Sequence, residues 1–208
     1  MHIAEGILSP PVLVAGAVVT AVGVGVGLYR MEADDVPKAG VLAAAFFAGS
    51  LIHVPMGPVS AHLILNGLLG VVLGWAAFPA ILVGLTLQAL FFGAGGITVL
   101  GVNTVTMAAP AVACHYLFRR WTHGVKNSRA FAAGAASGGL AIGLSSVITA
   151  GVFLATGRDF AATAAAVLVA HIPILLVEAF VTGAAVDFLQ RVRPEVLTLA
   201  PRAGQSRA

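Results

Sequence analysis

Residues 1–30 read Met1-His2-Ile3-Ala4-Glu5-Gly6 and then ILSPPVLVAGAVVTAVGVGVGLYR, with no Lys or Arg before Arg30. A bilayer core is crossed by about 20 apolar residues in helical form, and the stretch from Leu8 to Tyr29 supplies them. A secretory leader would carry a basic segment ahead of its apolar run and a small-residue cleavage site behind it. Here the basic residue follows the run, so the segment reads as a retained transmembrane helix with its N-terminus outside. The large His2 side chain disfavours removal of Met1, and the chain is expected to keep it.

The rest of the chain extends this reading. Hydrophobic residues make up 59% and charged residues 9% of the sequence, against about 25% charged residues in soluble domains. Mean hydropathy is +1.01. These values exclude an ordinary soluble domain. A single cysteine, Cys114, rules out an internal disulfide framework.

Apolar runs broken by Pro, Gly and charge predict an all-α integral membrane protein of about seven transmembrane helices. They cover Leu8–Tyr29, Lys38–His53, Val59–Ala77, Phe78–Gly93, Val99–Phe118, Phe131–Thr156 and Ala161–Leu189. Val54-Pro55-Met56-Gly57-Pro58 stops the second, because proline cannot continue a helix. With the N-terminus outside, ten of the eleven Lys and Arg residues fall in segments on the inner side, and Arg158 alone falls outside. This bias orients membrane proteins and predicts an external N-terminus and a cytoplasmic C-terminus. It also explains the pI of about 9.6 through contact with an anionic leaflet, without nucleic acid. Residues 1–190 read as one polytopic domain, with 1–7 as its N-terminal segment and 191–208 as a short basic cytoplasmic tail.

In this topology His2, His53 and His62 gather at the outer face, with His53 ending the second helix and His62 just inside the third. His115 and His123 lie near the inner face, and His171 lies mid-span in the last helix. Imidazoles inside a membrane mark functional sites. A His directly behind a free α-amine is a chelator in its own right. The amine, the deprotonated His2 amide and the near imidazole nitrogen close two fused rings on a metal, and a second imidazole such as His62 completes a planar four-nitrogen set. Tetragonal sets of this kind suit Ni(II) or Cu(II), whereas zinc prefers a tetrahedron.

At these residues the chain resembles the CbiM/NikM family, the substrate-capture membrane components of energy-coupling-factor transporters for cobalt and nickel. The resemblance rests on Met1-His2-Ile3-x-Glu5-Gly6, Pro58-Val59-Ser60-Ala61-His62-Leu63 with Asn66-Gly67, Gln88-Ala89-Leu90-Phe91-Phe92-Gly93, Gly95 to Asn103, and His171-Ile172-Pro173 with Glu178-Ala179. It implies a metal held by the Met1 amine, the His2 amide and imidazole, and His62. It further implies a transmembrane scaffold (T) subunit, cytoplasmic ATPase subunits, in some systems a small accessory membrane subunit, and a place in a prokaryotic cytoplasmic membrane, supplying metal for uses such as cobalamin biosynthesis. No cofactor beyond the transported Co2+ or Ni2+ is implied. The residues around His62 match neither the cobalt-type nor the nickel-type pattern, so both ions stay open.

Other residues carry competing readings. His53 is an axial donor, a partner orienting His62, or a helix-end residue. Glu5 and Ser60 are candidate hydrogen-bond partners of the ligands. Asn103 either braces the Gly95-Gly96 loop or bonds the terminal segment, and Met107 reads as core. His171, Glu178 and Thr182 share one helix face, as a cation path, as glue between helices or as a partner contact. The chain has no G-x-x-x-x-G-K-[ST] phosphate loop, so it is expected not to be an enzyme, with ATP hydrolysis in separate subunits. Two further readings are an intramembrane metalloenzyme or redox subunit using His53, His62 and His171, and a secondary transporter independent of ATPases.

Overall fold

The computed structural model describes residues 2–51, 53–56, 59–122 and 129–197. The chain begins with β1 (His2–Ile3), followed by α1 (Pro10–Arg30), α2 (Val36–Gly49), β2 (His53–Met56) and β3 (Val59–His62). Then come α3 (Asn66–Leu73), a 3-10 turn at Gly74–Ala76, α4 (Ala77–Phe92), α5 (Leu100–Thr122), α6 (Arg129–Thr156), α7 (Ala161–Val192) and α8 (Pro194–Leu197). Among the described residues, four apolar stretches are long enough to cross a membrane: Pro10–Arg30, Asn66–Phe92, Arg129–Thr156 and Ala161–Val192.

Two expectations need correction. The run Val59–Ala77 is not a continuous helix. Its first residues form β3, the central strand of a three-stranded antiparallel sheet ordered β1-β3-β2, and helix starts only at Asn66. Leu65 adopts a left-handed conformation (φ 59°), which prevents the α3 helix from extending backwards. The second helix stops at Gly49, where the Ser50 hydroxyl donates to the Phe47 carbonyl at 2.7 Å. His53 therefore begins a strand and His62 ends one. At the other end of the chain, α7 runs to Val192 and α8 follows with Leu197 buried. Residues 198–208 lie outside the described residues, as does His123.

Packing follows from small residues. Every residue of α3 is buried, surrounded by α5, α6 and α7. Asn66 ties it down, donating from Nδ2 to the Met107 carbonyl at 3.1 Å and to Ser145 Oγ at 2.9 Å. Backbone irregularity at membrane depth is tolerated only where protein encloses it, and α3, buried throughout, meets that condition. α1 starts on Pro10 and Pro11, which lose nothing by lacking N–H groups in a first turn. Its Gly16 lies so close to α5 that an added Cβ would sit 2.4 Å from Val102 Cγ2. At the far end of α1, Arg30 and the Trp75 indole both donate to the Tyr116 hydroxyl, at 3.0 and 2.9 Å. A cation and aromatic rings thus collect at the end of the bundle away from the sheet, as membrane interfaces favour.

The α6–α7 pair shows which glycines matter. A Cβ on Gly138 would meet the Glu178 carbonyl oxygen at 2.6 Å and Thr182 Oγ1 at 2.7 Å, whereas one on Gly139 would meet Leu175 at an ordinary 3.4 Å. Gly138→Ala is therefore expected to destabilise by about 1–3 kcal/mol through overpacking. Gly139→Ala is expected to be neutral or to stabilise by up to about 1 kcal/mol through helix propensity. Thermal unfolding of the two purified variants checks the contrast.

Candidate metal centre

The sheet brings two imidazoles together. In the β1–β3 ladder His2 faces Ser60 and Ile3 faces Val59. His62 lies two residues beyond Ser60, a diagonal cross-strand position that long side chains can bridge. The His2 and His62 rings stack with centroids 4.7 Å apart and planes inclined by 25°. Their Nε2 atoms are 3.0 Å apart, and both residues are 4% exposed.

The hydrogen bonds assign the tautomers. His62 Nδ1–H donates to the Leu63 carbonyl at 2.8 Å, so in the neutral ring Nε2 carries no proton. His2 then donates its Nε2–H to His62 Nε2, which makes Nδ1 the acceptor nitrogen of His2. Nδ1 is the nitrogen closest to the backbone, the one required for a chelate with the amide. Ligating imidazoles ordinarily donate their other N–H to a carbonyl or carboxylate, and His62 already does so.

Three devices hold β1 in place. Asn103 on α5, 2% exposed, accepts from the Ile3 N–H at 2.9 Å and donates to the Ile3 carbonyl at 3.1 Å. Its side-chain amide thus acts as a further strand along the edge of β1. The Ile3 side chain is buried with Leu8, Val99, Val102, Phe153 and Val167. Removing such a side chain from water is worth about 1.5–3 kcal/mol. Finally, the loop between α4 and α5 closes over the segment. The Glu5 N–H donates to the Gly95 carbonyl at 3.0 Å, and Glu5 Oε1 accepts from the Thr98 N–H at 2.9 Å. That N–H holds the Glu5 carboxyl below the usual carboxylate range. The Glu5 side chain fills the space a Cβ on Gly96 would need, 2.0 Å from its Cγ.

Several expected residues therefore come together and others do not. His2 and His62 meet. Asn103 bonds the terminal segment, and its Nδ2 also packs against Gly95 of the Gly95-Gly96 loop. Glu5 holds the loop between α4 and α5, and Met107 is core. His53 stands opposite His62 in the β2–β3 ladder, and Ser60 opposite His2, but their side chains lie outside the described residues, as does Met1. His171 is buried on α7, where its Nδ1–H donates to the Val167 carbonyl at 2.7 Å. Among the described residues no group of three or more His, Cys, Asp or Glu side chains converges.

Glu178 is among the residues that sequence reasoning left undecided. It lies on α7, wholly buried, and its Oε1 accepts from the N–H groups of both Ile64 and Leu65, the latter at 2.8 Å. Its place with His171 and Thr182 on one face of an apolar helix was the available signal, but its target is more than a hundred residues away in sequence. For the Asn103 clamp, Asn103→Leu is expected to leave two buried backbone groups unpaired, costing about 1–3 kcal/mol for each. Amide hydrogen exchange should show it as a large loss of protection confined to Ile3 and its neighbours, with α6 and α7 unchanged.

Comparison with known proteins supplies the context for this geometry. The sequence profile of the CbiM family, described as the cobalt uptake substrate-specific transmembrane region, matches residues 2–196. A Haemophilus influenzae protein assigned to metal transport is 41% identical over 199 residues, covering 95% of this chain and 97% of the relative. An Archaeoglobus fulgidus protein assigned as a fused nickel transport protein, NikMN, is 31% identical over 204 residues, covering 95% of this chain and 68% of the relative. A crystal structure of a truncated transition metal transporter superimposes with a TM-score of 0.78 at 29% identity, covering 92% of this chain and 99% of the other. With its apolar helices, its buried imidazole pair and a match spanning nearly its whole length, the chain is a multi-pass membrane protein and belongs to the CbiM family of cobalt uptake substrate-specific transmembrane regions.

Proposed function

We propose that this chain captures Ni2+ or Co2+ at the outer face of the membrane and passes it to partner subunits for ATP-driven import. The single observation that carries the reading is the His2–His62 pair, two buried imidazoles 3.0 Å apart on a strand held by backbone pairing. The proposed ligands are the Met1 amine, the His2 amide nitrogen and Nδ1, and His62 Nε2. The family description names cobalt and the Archaeoglobus relative is named for nickel, which supports this class of ion. Energy would come from separate cytoplasmic ATPases docked through a transmembrane scaffold subunit, with or without a small accessory membrane subunit, since the chain has no phosphate loop of its own. The membrane of the proposal is a prokaryotic cytoplasmic membrane.

The tautomers describe how capture would proceed. His2 Nε2–H donates to the very lone pair on His62 that the metal needs. Binding therefore exchanges this hydrogen bond for a metal bridge, with the His2 ring turning to offer Nδ1. The amine and the amide must both lose protons to coordinate, so protons are released on binding and affinity falls as pH falls.

The test is titration of the purified chain, carrying a free N-terminus, with Ni2+ and Co2+. His2→Ala and His62→Ala should each lower affinity by more than about 100-fold, beyond the loss typical of partners outside the ligand set. Residues added before Met1 should do the same, because they convert the amine to an amide. Affinity unaffected by all three changes would sink the proposal. Metal accumulation by cells lacking every partner ATPase would sink its transport half.

A further inference from the structure

The two hydrogen bonds around residues 63 and 64 meet in one peptide group. The Leu63 carbonyl accepts from His62 Nδ1–H at 2.8 Å, and the N–H of that same peptide, on Ile64, donates to Glu178 Oε1. Carboxylate, peptide and imidazole form a continuous line: Glu178 accepts from the peptide N–H, and the peptide carbonyl accepts from the imidazole. Glu178 Oε1 also takes the N–H of Leu65 at 2.8 Å, the residue whose left-handed φ of 59° turns the chain from β3 into α3. An L-residue other than Gly, Asn or Asp pays to adopt that conformation and keeps it only when its surroundings enforce it.

We infer that Glu178 is a positioning residue for His62: through the single peptide between Leu63 and Ile64 it fixes the ring's tautomer and orientation, presenting an unprotonated Nε2 to the metal. In metalloproteins a carboxylate commonly takes the other N–H of a ligating His directly, and here one peptide group stands between the two. The inference rests on the proposed metal reading for its effect on affinity, but its effect on His62 does not depend on a metal.

Three features favour this role over helix glue. Glu178 is fully buried, so holding a carboxyl there is costly unless it is bonded. Both of its described bonds go to the corner behind His62 and none to a side chain of a neighbouring helix. Its own helix is seated firmly, since Gly138 of α6 packs directly on the Glu178 carbonyl oxygen. The carboxyl group is thus delivered from the closely packed α6–α7 hairpin to the left-handed turn behind His62.

The full-length chain tests this with Glu178→Gln, Glu178→Asp and Glu178→Ala. The Gln amide oxygen still reaches both N–H groups, whereas Asp is one methylene too short although it keeps the carboxyl group. Expected losses of Ni2+ affinity are below about threefold for Gln and about 10–100-fold for Ala, the range seen for partners orienting a metal ligand, with Asp closer to Ala. In a His62→Ala background Glu178→Ala should add less than about twofold, because residues acting through one another are not additive. In metal-free protein, nitrogen-15 NMR of histidine should report His62 protonated at Nδ1 in wild type and Glu178→Gln, and a mixture of tautomers in Glu178→Asp and Glu178→Ala. Should Glu178→Ala fail to fold, Glu178→Asp carries the same comparison. Wild-type affinity in Glu178→Ala, or an undiminished effect without His62, overturns the inference. If wild-type protein binds neither metal, the proposed function fails, and an unchanged His62 tautomer in the variants still decides against Glu178 separately.

Discussion

Backbone N–H and C=O groups that leave a helix inside a membrane protein have no water to turn to, and each unpaired group costs several kcal/mol. This chain leaves helix twice at the same level, at β1 and at the β3–α3 corner, and much of the molecule can be understood as supplying the missing partners. β3 pairs with strands on both sides. The outer edge of β1 is closed by the Asn103 amide, and the corner after β3 is closed by the Glu178 carboxyl. Each partner comes from a different helix, so the non-helical chain is locked into the bundle from several directions.

The same requirement builds the site. A terminal segment free in water would sample many conformations, and ordering each residue costs about 1–2 kcal/mol. Here Ile3 is anchored by its side chain and by both of its backbone groups, and Glu5 is anchored by backbone and carboxyl together. His2 lies one residue from the Ile3 anchor, and its ring arrives stacked on His62. The glycines at 95 and 96 take part in this directly. Both have positive φ, and Gly96 leaves room for the Glu5 side chain. A loop that looks like a mere helix ending is in fact a lid shaped to the terminal segment.

The long helices were legible in the sequence because hydropathy, proline placement and charge bias all act locally. α1, α4, α5, α6 and α7 lie close to where the apolar runs end. The pairing of His2 with His62 was legible too, because the chelating chemistry of a penultimate histidine asks for a second imidazole. The strand nature of Val59–His62 was not. An apolar stretch this short fits a strand or a buried helix equally well by periodicity, and only its pairing with β1 and β2 decides. Asn103 was left between two partners, and Glu178 among three roles. In both cases the deciding contact lies at least a hundred residues away and is made to backbone, which presents no side-chain signal in sequence. The close approach of Gly138 to α7 was not legible either, because glycine spacing in a chain with 25 Gly does not reveal the partner surface it meets.

The central claim, that the terminal strand and His62 together form a planar nitrogen site, is tested most directly by X-ray absorption spectroscopy of Ni2+-loaded protein with a free N-terminus. The account predicts four nitrogen donors in a plane, two of them imidazoles by their scattering pattern, with neither sulfur nor a full octahedron of light ligands. A six-coordinate spectrum dominated by oxygen, or one containing sulfur, would contradict it.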